Sequence, residues 1–324
     1  MASLNPSPKE LFIMPFDHRG SFEKKMFGIE GRPPTQAETQ EIAAYKRMIY
    51  DGYLEALSEG VPREKTGILV DEQFGSEILK DAQAAGVKTS CSAEKSGQDE
   101  FDFEYGSEFG AHIDKFHPTY VKILVRYNPE GDPALNRRQL ERLKKLSDYC
   151  LSHDSGLMFE LLVVPTKDQL ARVANDPHRY DRELRPQLML QAMKEIQAAG
   201  IEPALWKLEG IESEDQARAV VAQAQSGGRN NVGLIILGRG ESEAKVREWL
   251  TVASHTPGFV GFAVGRTIFW EPLKGYREGK WDRTRAVRMI AQNYRACCEL
   301  WEKEHQKISK SPLSKPENQA QNLI

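Results

Sequence analysis

The stretch Ala204-Leu205-Trp206-Lys207-Leu208-Glu209-Gly210, followed by a helix-patterned segment at 213–224 and a second apolar run at 232–237, reads as one strand–helix–strand unit. Successive side chains of a strand point to opposite faces, so Leu205, Lys207 and Glu209 share one side and Trp206 and Leu208 the other. A helical crossover of this length joins parallel strands. The apolar Trp206 face suits packing against helices, which turns Lys207 toward the interior of whatever the sheet encloses.

The same unit recurs outward in both directions. Short apolar runs stand at 11–16, 67–70, 87–92, 120–125, 157–164, 204–208, 232–237 and 259–264. Helix-like segments at 36–59, 136–153, 186–199, 213–224 and 242–253 lie between them. Eight such units, with no glycine fingerprint opening the first helix, predict an α/β fold of the closed (β/α)8 TIM-barrel type over an open doubly wound sheet. One barrel is expected over residues 1–306, ending in an amphipathic helix at 281–305. The segment 307–324, polar and with two prolines, is expected to be a disordered tail.

Composition narrows the function. Of the 324 residues 40% are hydrophobic and 28% charged, enough to bury a core and solvate a surface, and the net charge of −3 gives no footprint for nucleic acid or an anionic membrane. No apolar stretch reaches membrane-spanning length, and the opening residues Met1-Ala2-Ser3-Leu4-Asn5-Pro6 lack the pattern of a secretory signal, so a cytoplasmic protein is expected. Cys91, Cys150, Cys297 and Cys298 form neither a disulfide framework nor a metal spacing and are expected to be reduced.

Three neighbouring strands each direct an ionisable group inward: Lys122 in phase with Tyr120, Leu124 and Arg126; Glu160 in phase with Met158 and Leu162; and Lys207. Buried ions cost several kcal/mol each unless paired, so these three are expected to compensate one another. An unprotonated amine beside a carboxylate can form an imine with a ketone, and a second cation nearby favours the neutral amine. Lys207 is then the nucleophile, Glu160 the proton shuttle and Lys122 the tuning cation. A purely structural ion network is the competing reading of the same residues.

The first strand ends in Asp17-His18-Arg19-Gly20, placing Asp17 as a catalytic or orienting group and Arg19 as a substrate contact at the C-terminal rim, unless Asp17 is a simple turn cap. Strands seven and eight end in Gly238-Arg239-Gly240 and Gly265-Arg266, where glycine lets a phosphate approach backbone N–H groups and arginine adds charge-assisted bonds. Glu209 is expected beside them as a substrate contact. The segment Glu94-Lys95-Ser96-Gly97 reads equally as a substrate loop or as solvated charge. His112 and His117 lack zinc spacing, and neither a metal nor an organic cofactor is expected.

These strand ends resemble the class I tagatose-bisphosphate aldolases, through Asp17, Arg19 and Gly20, Val121-Lys122, Glu160, the Leu205-x-Lys207-x-Glu209 strand and Gly265-Arg266. The chain is more similar still to the aldolase-like domain of bifunctional 5-dehydro-2-deoxygluconokinase proteins of myo-inositol catabolism. That resemblance rests on Met14-Pro15-Phe16-Asp17-His18-Arg19, on residues 67–75, on Trp206-Lys207-Leu208-Glu209-Gly210 and on residues 262–269. It implies an imine-forming lyase that cleaves 5-dehydro-2-deoxy-D-gluconate 6-phosphate to dihydroxyacetone phosphate and malonate semialdehyde, with Lys207 forming the imine and Glu160 as acid and base. His18 departs from the tagatose-type pattern, which has glutamine there. A tagatose-bisphosphate or sulfosugar-phosphate aldolase and a non-catalytic barrel that binds a sugar phosphate remain open. So do a homo-oligomer and a separately encoded sugar kinase as partners.

Overall fold

Eight parallel strands close into a barrel in chain order, β1 (Leu11–Pro15), β2 (Thr66–Val70), β3 (Lys88–Ser92), β4 (Tyr120–Arg126), β5 (Gly156–Leu162), β6 (Leu205–Leu208), β7 (Gly233–Leu237) and β8 (Phe259–Ala263), with β8 returning to pair with β1. This is the predicted (β/α)8 barrel, and each of the eight apolar runs contributes one strand. The computed structural model describes residues 10–309. Around the barrel lie α1 (Gln36–Ser58), α2 (Glu72–Ala84), α3 (Phe109–Phe116), α4 (Pro133–Ser152), α5 (Lys167–Arg172), α6 (Pro177–Arg179), α7 (Arg185–Ala198), α8 (Glu214–Ala224), α9 (Glu243–Ser254), α10 (Arg266–Arg277) and α11 (Arg283–Ser309). None of these helices is long and apolar enough to cross a membrane.

Local chemistry starts the helices where the barrel needs them. Thr35 and Glu38 form a reciprocal capping box at the head of α1, and Thr166 with Gln169 does the same for α5. Asp132 caps α4 just before Pro133, which lacks the N–H that the first turn would leave unpaired. Asp71 caps α2 by accepting from the Phe74 N–H at 2.9 Å. At the other end, α11 runs to Ser309, past the boundary expected at 306, as Lys307 reaches back one turn to Glu304 at 2.6 Å. The tail expected beyond it, from 310 onward, lies outside the described residues.

Register places the inward residues in tiers. Glu160 lies opposite Lys207 and Leu124, and Met158 opposite Leu205 and Lys122. The lower tier is apolar: Leu11, Ile13, Leu69, Tyr120, Met158, Leu205, Ile235 and Ala263 pack together inside the barrel as a cluster separate from the helix-facing core. Trp206 faces outward into that larger core and leans on Phe159 at 5.0 Å between ring centres. Closure between β8 and β1 depends on Gly261, at a register shift opposite β7, because a Cβ there would lie 1.9 Å from the Leu11 carbonyl oxygen. The polar residues stand one tier above the apolar floor, at the C-terminal mouth.

Candidate active site

Lys122 is the hub of the mouth. Its ammonium, 2% exposed, lies 2.7 Å from Asp17 Oδ2, 2.8 Å from Glu94 Oε1 and 2.9 Å from Glu160 Oε2. The last of these oxygens also accepts from Lys207 Nζ at 2.8 Å, so two amines share one carboxylate oxygen. Arg19 completes the cluster, donating to the Glu94 carbonyl oxygen and to Glu104 Oε2, each at 2.6 Å. Three cations thus meet three deeply buried carboxylates, with the half-buried Glu104 as a fourth, which is the compensation such burial demands.

The shared field separates the carboxylates. Burial raises the Asp17 pKa, but the charges of Lys122 and Lys207 outweigh it and hold the group well below the usual carboxylate range. Glu160 is held low by the same two lysines against the same burial penalty. For Glu94 burial prevails over Lys122 and Arg19, and the nearby negative Asp17 adds to it, so this carboxyl is raised. Burial opposes the charge on Lys122, yet Asp17, Glu160 and Glu94 keep its pKa well above the ordinary lysine value. Lys122 is therefore a permanent cation, Asp17 and Glu160 are anions, and Glu94 is the carboxyl best placed to carry a proton. Burial also lowers His18 to about 4, which leaves the imidazole neutral at physiological pH.

Glu94 was not singled out as catalytic from the sequence. The signal was present, since Ser90, Ser92 and Glu94 continue the inward phase of β3 and Ser92 pairs with Lys122 in register. The strand reads Lys-Thr-Ser-Cys-Ser, without apolar alternation, so that phase is hard to see. The solvated-charge reading of this segment does not hold for Glu94, which is 6% exposed.

The two arginines expected to bind phosphate take different positions. Arg239, in the left-handed conformation at φ 52°, is tied through Nη1 to Asp181 Oδ2 at 2.9 Å and Glu209 Oε1 at 3.2 Å. Glu209 in turn accepts from the Val163 N–H at 2.9 Å, and burial raises its pKa. Both side chains thus brace the ends of β5, β6 and β7. The Arg239 carbonyl receives Arg266 Nη2 at 2.6 Å, and among the described residues no carboxylate pairs with that guanidinium. Gly240, at φ 80°, lets the two pass, because a Cβ there would lie 2.5 Å from the guanidinium carbon of Arg266. Gly265 is required where β8 meets β1, since its Cβ would fall 2.4 Å from the Pro15 carbonyl oxygen. Gly238 lines the same recess.

Two adjoining cavities open over this cluster. One, of about 580 Å³, is walled by Asp17, Arg19, Glu94, Gln98 and Lys122; the other, of about 290 Å³, by Gly238, Arg239, Gly240, Gly265 and Arg266. They share His18, Arg126, Glu160 and Lys207, so the lysine lies at their junction. His18 Nδ1, Arg19 Nε, Ser92 Oγ, Glu94 Oε2 and Gln98 Nε2 are all buried around this mouth without a hydrogen-bond partner. Buried polar atoms are normally paired, so such a concentration marks a place shaped for a polar ligand. His112, by contrast, lies outside these walls, pairing with Glu72 at 2.6 Å and stacking on Tyr105.

Eight parallel strands closed around an apolar floor make this a (β/α)8 barrel, and solved structures agree on the fold. The fructose-bisphosphate aldolase of Plasmodium falciparum superposes with a TM-score of 0.62 at 13% identity over 90% of each chain. A protein of Corynebacterium glutamicum gives 0.54 at 18% identity over 91% of this chain and 88% of its own. The fructose-bisphosphate aldolase of Slackia heliotrinireducens gives 0.51 at 14% identity over 88% and 86%. At these identities the likeness is one of fold. By sequence, residues 1–305 match the model of the family described as "Uncharacterized protein conserved in bacteria (DUF2090)", and the chain belongs to that family. No curated protein matches it.

Proposed function

We propose that this protein is an imine-forming aldolase acting on a phosphorylated keto sugar acid, with 5-dehydro-2-deoxy-D-gluconate 6-phosphate as substrate. The observation that carries the reading is the Lys207–Glu160 pair, 2.8 Å apart, buried above an apolar floor and facing the junction of two cavities. An ammonium used only for structure has no need of that position.

In this reading the Arg266 recess takes the phosphate and the C5 ketone lies against Lys207. Lys207 gives a proton to Glu160 and as the free amine attacks C5, forming a C–N bond; Glu160 passes that proton to the departing oxygen, which takes up the second amine proton and leaves as water. The resulting iminium is the electron sink. Loss of the C3 hydroxyl proton to Glu160 breaks the C3–C4 bond, whose electron pair moves into the iminium to give an enamine. Malonate semialdehyde departs, C4 is reprotonated, and hydrolysis of the imine releases dihydroxyacetone phosphate and the lysine. Lys122 holds Asp17 ionised and returns Glu160 to its ionised form between proton transfers, and Glu94 is a proton reserve on the other side of Lys122.

The test is reduction. Incubation with dihydroxyacetone phosphate and sodium borohydride is expected to yield a covalent adduct by intact mass, mapped to Lys207 and absent in Lys207→Ala. An adduct that persists in that variant refutes the nucleophile. A folded protein that binds the phosphate without any adduct favours the non-catalytic barrel.

A further inference from the structure

We propose that Arg126, together with the side-chain amide of Gln98, seats a second anionic group of the substrate, the carboxylate of the aldehyde fragment. The inference rests on the aldolase reading and adds the residues that select an acidic over a neutral aldehyde.

The first ground is topological. In a closed barrel whose eight strands follow chain order, β4 and β8 are diametrically opposed and β6 lies midway between them. Arg126 ends β4, Arg266 follows β8, and Lys207 projects from β6. A molecule laid across the mouth with its phosphate at Arg266 passes the lysine and reaches Arg126 with its far end.

Charge is the second ground. Most other cations of the mouth are compensated, Lys122 by three carboxylates, Arg19 by Glu104, Lys207 by Glu160 and Arg239 by Asp181 and Glu209, while Lys25 and Lys95 are exposed at its rim. Arg126 and Arg266 have no carboxylate partner among the described residues; each donates to a backbone carbonyl, Arg126 to Gln98 at 2.5 Å and Arg266 to Arg239 at 2.6 Å. Two guanidinium groups without a direct ion pair, both lining the smaller cavity and carried by opposite strands, suit a ligand with an anion at each end.

Gln98 is the independent third ground. Its Oε1 accepts from the Asp102 N–H at 2.6 Å, which fixes the orientation of the amide. Its Nε2 is therefore turned the other way, and it is buried in the same cavity wall with no partner. The remaining N–H groups of Arg126 and this orphaned amide offer a small set of donors that matches the two oxygens of a carboxylate. The Arg266 side, with glycine backbone and the head of α10, suits the larger phosphate.

The experiment runs the reaction in the condensation direction, with dihydroxyacetone phosphate and malonate semialdehyde, glyceraldehyde 3-phosphate or propanal. The wild type is expected to favour malonate semialdehyde over propanal. Arg126→Gln should lower kcat/KM for malonate semialdehyde roughly ten- to a hundred-fold while leaving propanal within about two-fold. Borohydride trapping of dihydroxyacetone phosphate on Lys207 should persist and lose less than the malonate semialdehyde reaction does, which also reports that the variant is folded. Gln98→Ala should reproduce a smaller part of the loss, and Arg126→Lys should restore part of the activity. A preference for glyceraldehyde 3-phosphate over malonate semialdehyde that disappears in Arg126→Gln overturns the carboxylate as the occupant of this seat. Trapping by the wild type with no charge preference, or a preference that survives in Arg126→Gln and Gln98→Ala, overturns this inference alone. Absence of trapping in the wild type overturns the aldolase reading and this inference with it.

Discussion

Replacing Lys122 by methionine puts the electrostatics of the mouth to a direct test. The side chain is 2% exposed and its ammonium touches Asp17, Glu94 and Glu160, so Lys122→Met leaves a buried cluster of carboxylates with Lys207 and Arg19 as its remaining cations. Removing one partner of a buried ion pair costs about 3–5 kcal/mol. The pH dependence carries the sharper information. In the wild type the depressed pKa values of Asp17 and Glu160 stabilise the fold above the unfolded carboxylate value of about 4, and that stability is lost as pH falls through the folded values. Glu94, raised by burial, works in the opposite sense, giving stability at low pH that fades as its proton leaves. Without Lys122, Asp17 and Glu160 are expected to join Glu94 with raised values, and the variant should then regain stability on acidification. The gap between wild type and Lys122→Met, measured by urea denaturation, should therefore be widest at pH 7 and narrow toward pH 4. A gap below about 1 kcal/mol, or one constant across that range, refutes the argument that carboxylate charge drives the loss.

Other perturbations follow from single contacts. Arg266→Ala should weaken capture of dihydroxyacetone phosphate roughly ten-fold or more, seen as a shifted concentration dependence of borohydride trapping. Arg239→Ala should mainly lower stability, by about 1–3 kcal/mol in the same denaturation assay, because its side chain braces Asp181 and Glu209. Gly240→Ala combines a left-handed backbone with a Cβ against Arg266, and is expected to cost about 1–2 kcal/mol and to weaken phosphate capture as well. His18, lowered to about 4, binds its proton less readily than in the unfolded chain, so it gives stability above about pH 6.5 that is lost on acidification. His18→Gln should flatten the stability profile between pH 6.5 and 4 by about 1–3 kcal/mol; an unchanged slope counts against a neutral buried imidazole.

The barrel was legible because its strands are short apolar runs at regular spacing, and because the two-residue period of Leu205, Lys207 and Glu209 can be followed by eye. The same period carried Lys122 and Glu160 to the right tier. It failed where strand chemistry departs from apolar alternation, as at β3, and so Glu94 was missed. Of the helices, α10 was hidden by Pro272 inside it, a residue that ordinarily argues against a helix interior. Arg239 and Arg266 follow a glycine in the same local context, and nothing near them in sequence tells the ion-paired arginine from the one without a carboxylate partner. What separates them is Asp181, brought from a helical turn before α7, together with Glu209. Long-range partners of that kind are a property of the closed barrel and are absent from any local pattern.

The apolar floor under Glu160 and Lys207 makes the mouth a cul-de-sac. Substrate, water and both products share one doorway, so the order in which the fragments leave is set by which of them is tethered. In the proposed reaction the ketone fragment would be held covalently at Lys207 after bond cleavage, while the aldehyde would be held only by non-covalent contacts. On that proposal release would be ordered, aldehyde first, and an accumulating aldehyde product would reverse the cleavage by recapturing the tethered enamine.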